Sequence, residues 1–453
     1  MSTIAELSHT TLPLTGGGSV TILDTGATIG PEAVAMLQAL HSRSTGGIKT
    51  HLEVLAERGP ERFMATYYVG YGHRSIGDCG TVTVFVEGVS MLAAKAIQDW
   101  RLYAGQESST RYIDFTNQPL RNPLDTEEGA EILEAWRTFY LRGIRELPTV
   151  LAERYPRTAN EDPKVYAKAI AARTFDIMRA FLPAGTTTNL AWHMNLRQFA
   201  DELALLTHHP LAEVREVAHT VTDGFRRMFP SSFSHTSHEA LDAYHEMLMH
   251  TLYEDEHDPV PFALIHDSID RDALAAYRQA LTDRPPHAEL PRRIAECGTV
   301  GFQFTLDFGS YRDLQRHRAI VQRMPLLTTK HGFEQWYLDE LPPTLCSDAN
   351  ALIHAQTARI GALAASPEIA QYYAAMGFTI AHRITGDLHA LTYLVELRST
   401  RFVHPTLRVR MRQVAEALRE RYTSYGLITL HLDPEPDRFD IRRGTHDIIR
   451  TDV

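Results

Sequence analysis

Hydrophobic and polar positions alternate in two short runs that stand about half a chain apart. TVFVEGVS follows Asp78-Cys79-Gly80-Thr81-Val82, and GFQFTLDF follows Glu296-Cys297-Gly298-Thr299-Val300. A period of two is what a half-buried strand requires, so each run predicts a strand, and the recurring pentapeptide predicts related units around them. Each run leads into a helix-like segment carrying arginines. Further on, NLRQFADELALLTHHPLAEVREVA resembles DLHALTYLVELRSTRFVHPTLRVRM, with leucines at helical spacing and a matching His-Pro ahead of an arginine. Nearer the start, EAVAMLQALHS reads as a helix with Pro31 in its first turn.

These patterns predict an α/β fold of the α+β type. Two repeated units, each a twisted sheet flanked by helices, are expected to pack as a pseudo-dimer. Residues 1–20 read as a flexible leader, 21–245 as the first unit and 246–453 as the second. The boundary is placed in SSFSHTSHEALDAYHEMLMHTLYEDEHDPVP, a stretch rich in His, Ser and acid with a central helical part. His235, His238, His245 and His250 fall into no recognised ligand spacing with a carboxylate, so the stretch reads as a solvated linker and no metal site is expected. Gly16-Gly17-Gly18 has neither a Gly-Lys-Ser ending nor a GxGxxG run, and so does not read as a phosphate loop.

Composition narrows the classes of function. The 453 residues are 44% hydrophobic and 22% charged, as in an ordinary globular protein. No window approaches roughly 18 uninterrupted apolar residues, and MSTIAELSHTTLPLTGGGSV lacks the basic-then-apolar order of a signal peptide, so a cytoplasmic protein with no membrane partner is expected. Cys79, Cys297 and Cys346 are too few for a disulfide framework and show no CxxC spacing, and are expected as reduced thiols. A net charge of −11 argues against broad nucleic-acid binding, which needs a basic face to displace counterions. Anionic ligands would need local arginine clusters.

The places of those clusters carry a resemblance. The first half holds Gly72-His73-Arg74-Ser75-Ile76-Gly77-Asp78, then Glu107-Ser108-Ser109-Thr110-Arg111-Tyr112, then Arg179-Ala180-Phe181-Leu182-Pro183 and Asn195-Leu196-Arg197. The second holds Arg316-His317-Arg318 and Glu396-Leu397-Arg398-Ser399. In order and near-spacing the chain resembles the flavin-dependent thymidylate synthases, as two diverged copies in tandem. The departures are complementary. The first half has Asp99-Trp100-Arg101 in place of Arg-His-Arg and lacks the helix arginine near Leu203-Ala204-Leu205-Leu206-Thr207. The second has QRMPLLTTKHGF in place of the Glu-x-Ser-x-Arg loop, Asp387-Leu388-His389 in place of Asn-x-Arg, and QYYAA in place of Arg-x-x-Leu-Pro.

The resemblance implies one composite site. Ser109, Arg111 and Arg179 would hold a nucleotide monophosphate, with Glu107 fixing orientation, since guanidinium forks and hydroxyls suit phosphate. Arg398 would meet the uracil carbonyls and, with Arg316, act in catalysis by stabilising charge that develops on the ring. Arg316, His317 and Arg318 would hold FAD, met by Ser75, Asn195 and Arg197. The implied reaction is reductive C5 methylation of deoxyuridine monophosphate (dUMP) or a related uracil nucleotide, with NADPH and methylenetetrahydrofolate as co-substrates, in a homodimer that recreates the family's tetramer. Other readings stand beside this. Asn195 with Gln198 makes a helix-capping pair, Arg398 suits a helix C-terminus, and His73 fits a turn. The whole chain fits equally a non-catalytic nucleotide- or flavin-binding protein, or a flavoenzyme for another uracil-containing substrate. Asp313 stands where the resemblance leads one to expect a glutamine.

Overall fold

The computed structural model of the chain describes residues 9–23, 30–41, 48–66, 74–111, 113–234, 238–251 and 259–434. Gly72, His73, Tyr112 and His235 lie outside the described residues, and the side chain of Ser75 is likewise not described. In chain order the elements begin with β1 (His9–Pro13), β2 (Ser19–Leu23), α1 (Pro31–His41), α2 (Ile48–Arg58), α3 (Glu61–Phe63), β3 (Thr81–Ser90), α4 (Met91–Gln98) and β4 (Ala104–Glu107). There follow α5 (Glu127–Arg154), α6 (Pro163–Met178), β5 (Thr187–Asn195), α7 (Leu196–Leu206), α8 (Ala212–Met228) and α9 (Glu239–Thr251). The remainder is β6 (Phe262–Asp267), α10 (Arg271–Ala275), α11 (Arg278–Thr282), β7 (Val300–Asp307), α12 (Phe308–Leu314), β8 (Val321–Arg323), α13 (Gln335–Asp339), α14 (Pro343–Ala362), α15 (Pro367–Ala370), β9 (Thr379–Gly386), α16 (Leu388–Arg398) and α17 (Pro405–Leu418). Both sheets are antiparallel, and helices accompany each, as the mixed α/β class requires. Among the described residues no helix is long and apolar enough to cross a membrane.

Two compact units contain these elements. One is Met1–Ser108 with Thr186–Leu252; the other is Ser109–Gly185 with Tyr253–Val453. Ser109–Gly185, which precedes the expected boundary in sequence, packs with the second unit. The reason is the apolar face of α5: Ile132, Leu133, Trp136 and Phe139 are buried, Trp136 Nε1 donates to the Tyr373 carbonyl at 3.0 Å, and Gln356 Nε2 on α14 donates to the Ile132 carbonyl at 2.7 Å.

In the first unit the strand order is β1-β2-β3-β5-β4. Val82, Val84 and Val86 of β3 are wholly buried while Thr81, Phe85 and Glu87 are exposed, so the alternation read from the sequence is the alternation of the strand. Their inner face is filled by aromatic side chains of α7, α8 and β5: Trp192 to Phe199 and Phe199 to Phe225 have ring centroids 4.9 Å apart. The stretch expected as a flexible leader instead supplies β1 and the start of β2. Thr-Leu-Pro-Leu and Ser-Val-Thr-Ile-Leu pair as a hairpin, with Leu12 opposite Val20, and the glycines are its turn. Gly17 has φ +89°, and a Cβ at Gly18 would meet the Glu87 carbonyl oxygen at 2.2 Å, so close approach of backbone explains the run.

In the second unit the order is β6-β7-β9-β8, the same central antiparallel pair with a strand on each side. β7 is buried on both faces, unlike the half-buried strand its alternation predicts. Its polar positions are closed over by partners: Arg383 Nε donates to Gln303 Oε1 at 2.7 Å and Arg410 Nε to the Thr305 carbonyl at 2.8 Å. Two equivalent segments of this unit, residues 179–185 and 371–377, pair through their backbones. The amide of Ala184 donates to the Ala374 carbonyl and that of Met376 to Leu182; Gly185 donates to Tyr372 and Gly377 to Ala180, all at 2.8–2.9 Å. Every bond in the set has its reciprocal.

Candidate active site

The end of β7 sets up the site. Asp307 caps α12, its Oδ2 accepting from the Ser310 amide at 2.8 Å, and the same oxygen accepts from the Tyr337 hydroxyl at 2.8 Å. The short helix then delivers Asp313 in its last turn, and Arg316-His317-Arg318 follow in the turn before β8. At the end of α16, Arg398 donates from Nε to His317 Nε2 at 2.7 Å and from Nη2 to the Asp313 carbonyl at 3.0 Å. Arg398 therefore bonds to the end of α12 and the turn after it. From Ser109–Gly185 come two more guanidiniums. Arg111 grips Asp176 of α6 with a fork, Nε to Oδ1 at 2.6 Å and Nη2 to Oδ2 at 3.0 Å. Arg179, one residue past α6 and 1% exposed, uses all three nitrogens: Nε to Tyr337 Oη at 3.3 Å, Nη1 to Asp313 Oδ2 at 3.5 Å and Nη2 to Ser310 Oγ at 3.0 Å.

Asp313 is the point on which these groups converge. Burial acts to raise its pKa, but the guanidiniums of Arg111, Arg179, Arg398 and Arg316 outweigh that and hold the carboxyl below the usual carboxylate range. Burial works against the charge of Arg111 as well, and the Asp176 carboxylate more than restores it. For Arg398 burial prevails and its pKa is lowered. His317 is pushed down to about 3, by burial first and then by Arg398, Arg318 and Arg316. A neutral imidazole whose Nε2 accepts from a guanidinium must carry its proton on Nδ1.

A second neutral histidine orders a hydrogen-bond chain beneath the site. His404 is fully buried, which with Arg179 and Arg111 drives its pKa well below the ordinary value. Its Nε2 lies 3.2 Å from the Asp176 carbonyl oxygen, which can only accept, so Nε2 carries the hydrogen and Nδ1 accepts from the Thr406 hydroxyl at 2.9 Å. Thr406 in turn must accept from Ser310, 2.5 Å away, and Ser310 accepts from Arg179. One directed chain thus runs from Arg179 through Ser310, Thr406 and His404 to the backbone of Asp176, whose carboxylate holds Arg111.

The predicted site residues divide between the units. In the second unit Arg111, Arg179, Arg316, His317 and Arg398 share one field around Asp313, with Arg318 beside His317 and the Ser109 hydroxyl accepting from the Arg111 amide at 3.3 Å. In the first unit Glu107 ends β4 and accepts from Gln98 Nε2 at 2.8 Å, Ser75 lies in the 3-10 turn Arg74–Cys79, and Arg197 Nε is bonded to Asp78 Oδ1 at 2.6 Å. Asn195 caps α7, its Oδ1 accepting from the Gln198 amide at 2.8 Å, so the capping alternative is what its side-chain oxygen does. Asp176, Asp307, Ser310, Tyr337 and Thr406 are not singled out in the sequence. The signals nearest to them were Asp176 lying one helical turn before Arg179 and the His-Pro that contains His404. Beside the cluster a cleft of about 840 Å³ runs along α16, lined by Tyr393, Leu397, Phe402 and Arg401 among others, and the Tyr393 ring centroid lies 6.0 Å from that of His317.

The neutral histidines make a measurable prediction. His209 in the first unit is, like His317, pushed down to about 3 by burial and nearby cations. These imidazoles and His404 stay neutral in the fold while the unfolded chain takes up protons below about pH 6.5, so stability is intact above that pH and lost as pH falls toward the folded values. Asp313, depressed in the folded state, loses its contribution only below about pH 4 and offsets nothing in this window. Urea denaturation at about pH 5 should show roughly 2 kcal/mol less stability per such histidine than at neutral pH. Glu32 and Glu334, raised by burial, act in the opposite direction, so the comparison uses Glu32→Gln with Glu334→Gln as background, where an unfolding free energy flat across that window would mean that the folded protein protonates the histidines.

The model of the thymidylate synthase complementing protein family matches residues 27–231, which hold Arg111 and Arg179 but not Arg316 or Arg398. The chain is 27% identical over 396 residues to the UPF0159 protein of Chlamydia muridarum, covering 75% of this chain and 74% of that one. To the UPF0159 protein of Thermoplasma acidophilum it is 24% identical over 428 residues, 78% of this chain and 85% of that one. To the flavin-dependent thymidylate synthase of Thermococcus kodakarensis it is 31% identical over 152 residues, 33% of this chain and 56% of that protein. Through the segment that contributes Arg111 and Arg179 the chain is similar to the thymidylate synthase complementing protein family, and over 152 residues to a flavin-dependent thymidylate synthase.

Proposed function

We propose that the arginine cluster of the second unit binds a uracil nucleotide and that the protein carries out reductive methylation at C5 of dUMP or a close relative. The observation that carries this reading is the meeting of Arg111 and Arg179, from the first half of the sequence, with Arg316, His317 and Arg398, from the second, around Asp313. Five guanidiniums, counting Arg318, stand against the carboxyls of Asp176, Asp307 and Asp313, an excess of positive charge suited to a phosphate. Arg179 has a partner on each nitrogen and fixes the frame. The phosphate falls to the Arg111 Nη1 that Asp176 does not engage. Arg398 faces the base and steadies negative charge as it grows on the ring, and Asp313, an acceptor when ionised, suits the N3–H of a uracil.

A flavin fits the same unit. Exposed Arg316 offers a cation for a pyrophosphate, neutral His317 and Tyr393 offer flat apolar faces, and the adjoining cleft is of ligand size. The carboxamide oxygen of Asn195 and Nε of Arg197 are already engaged by the α7 cap and by Asp78. Reduced FAD, when bound, supplies hydride equivalents, with NADPH as its reductant and methylenetetrahydrofolate as the carbon source. The chain's own part is to hold the phosphate, orient the base against Asp313 and Arg398, and keep His317 neutral.

The shared strand order and the reciprocal pairing of residues 179–185 with 371–377 support a tandem duplication, and a homodimer is the assembled form that the family resemblance leads one to expect. The test uses the full chain with FAD, NADPH, methylenetetrahydrofolate and dUMP tritiated at C5. Tritium should appear in water only when flavin and folate are both present. Release from another uracil nucleotide but not dUMP would reassign the substrate, and no release from any, by a chain that binds flavin, would leave a binding protein.

A further inference from the structure

We propose that His208, Asp242 and His245 bind one divalent transition-metal ion of the zinc class, and that the ion fastens α9 to the end of α7. The three residues lie in the first unit and are none of those assigned to nucleotide and flavin. One ligand atom from each lies within 4.8 Å of the others, and His208 Nε2 stands 3.8 Å from Asp242 Oδ1. Asp242 and His245 are three residues apart on α9 and so share a face, while His208 follows the C-cap residue Thr207 of α7. The two imidazole rings have centroids 6.0 Å apart at 57°, close enough for one ion to reach both.

Two observations independent of that clustering point to an occupant. Nδ1 of His245 is buried and has no hydrogen-bond partner, a state that costs free energy unless something meets it. And α9 is poorly anchored by apolar burial: of its residues only Met249 is buried, while Leu241, Tyr244 and Met247 are exposed. A metal bond supplies what packing there does not.

The donor set selects the ion. Two imidazole nitrogens and one carboxylate oxygen suit zinc and its neighbours rather than calcium or magnesium, with the fourth position open to water. Tetrahedral coordination at about 2.0–2.1 Å needs ligand atoms about 3.3 Å apart. The His208 to Asp242 pair is near that spacing, and both side chains are accessible enough to close the remainder by rotation. No linear ligand pattern announces the site, because His208 is far from the α9 pair in sequence.

The experiment uses the untagged full chain, stripped with chelator and titrated with zinc by calorimetry and with cobalt by visible absorption. One equivalent should bind, with the intense bands of low-coordinate cobalt. Asp242→Ala with His245→Ala should weaken zinc by at least about 100-fold, more than loss of an outer partner costs. At zinc about 100 times its Kd, amide exchange in α9 should slow by up to about 100-fold. His208→Ala, outside α9, must give the same loss, which guards against a double variant that fails to fold; His250→Ala on the exposed side must not. Unchanged affinity in the folded His208 variant overturns the site, and binding without protection of α9 overturns the fastening.

Discussion

Arg398→Ala lowers the proposed turnover of a uracil nucleotide by about 10²–10³-fold, the usual cost of removing one preorganised donor from developing charge. Arg398 is held from two sides, by His317 Nε2 at 2.7 Å and by the Asp313 carbonyl at 3.0 Å, so its guanidinium does not reorganise when charge appears on the substrate. Burial already lowers its pKa, the mark of a cation kept partly out of water, where its field is strongest. Arg398→Lys keeps the charge but not the fork, and should recover only part of the loss. The equilibrium Kd for nucleotide should change by far less than turnover, because the interaction strengthens as the ring becomes anionic. Turnover within a few fold of wild type would remove Arg398 from the chemistry and return it to a helix-end role.

Arg179→Met destabilises the second unit by about 3–5 kcal/mol, the range for removing one partner of a buried charge pair. Arg179 is 1% exposed and Asp307 wholly buried, and Oδ1 of Asp307 has no hydrogen-bond partner. Without the guanidinium, Asp307 is left with only Tyr337 and the Ser310 amide, and Ser310 loses the donor at the head of the chain to His404. Arg179→Met combined with Asp307→Asn should regain a good part of the loss, since the uncompensated charge is gone. Urea unfolding of wild type, single and double variants decides this. A single variant within about 1 kcal/mol of wild type would mean that the carboxyls are neutral in the fold.

What could be read from the sequence was local. The alternation of Val82, Val84 and Val86 states the inner face of β3, and Asn195 before Gln198 states a cap, because strand period and capping are properties of neighbouring residues. The hairpin of β1 and β2 was masked by its own turn: three glycines in a row look like slack chain until Glu87 is seen against Gly18. The arginines were found because motif spacing carries them. Of their carboxylate partners only Asp313 was, since a sequence shows residue types and not which side chains face each other; Asp176 and Asp307 are informative only once α6 and α12 are placed. The transfer of Ser109–Gly185 to the second unit was beyond local reading for the same reason, as α5 meets α14 through contacts more than two hundred residues apart.

The reciprocal pairing of residues 179–185 with 371–377 has an evolutionary consequence. Its bonds join main-chain atoms, which are the same whatever side chain a residue carries. RAFLPAG on one side and QYYAAMG on the other share little beyond the final glycine, yet they make the same four bonds. Such a seam lets either copy exchange its side chains without losing register with the other. With Arg179 on one side and Gln371 at the matching place on the other, the proposed duplication would leave its halves free to become unequal while the seam stays the same.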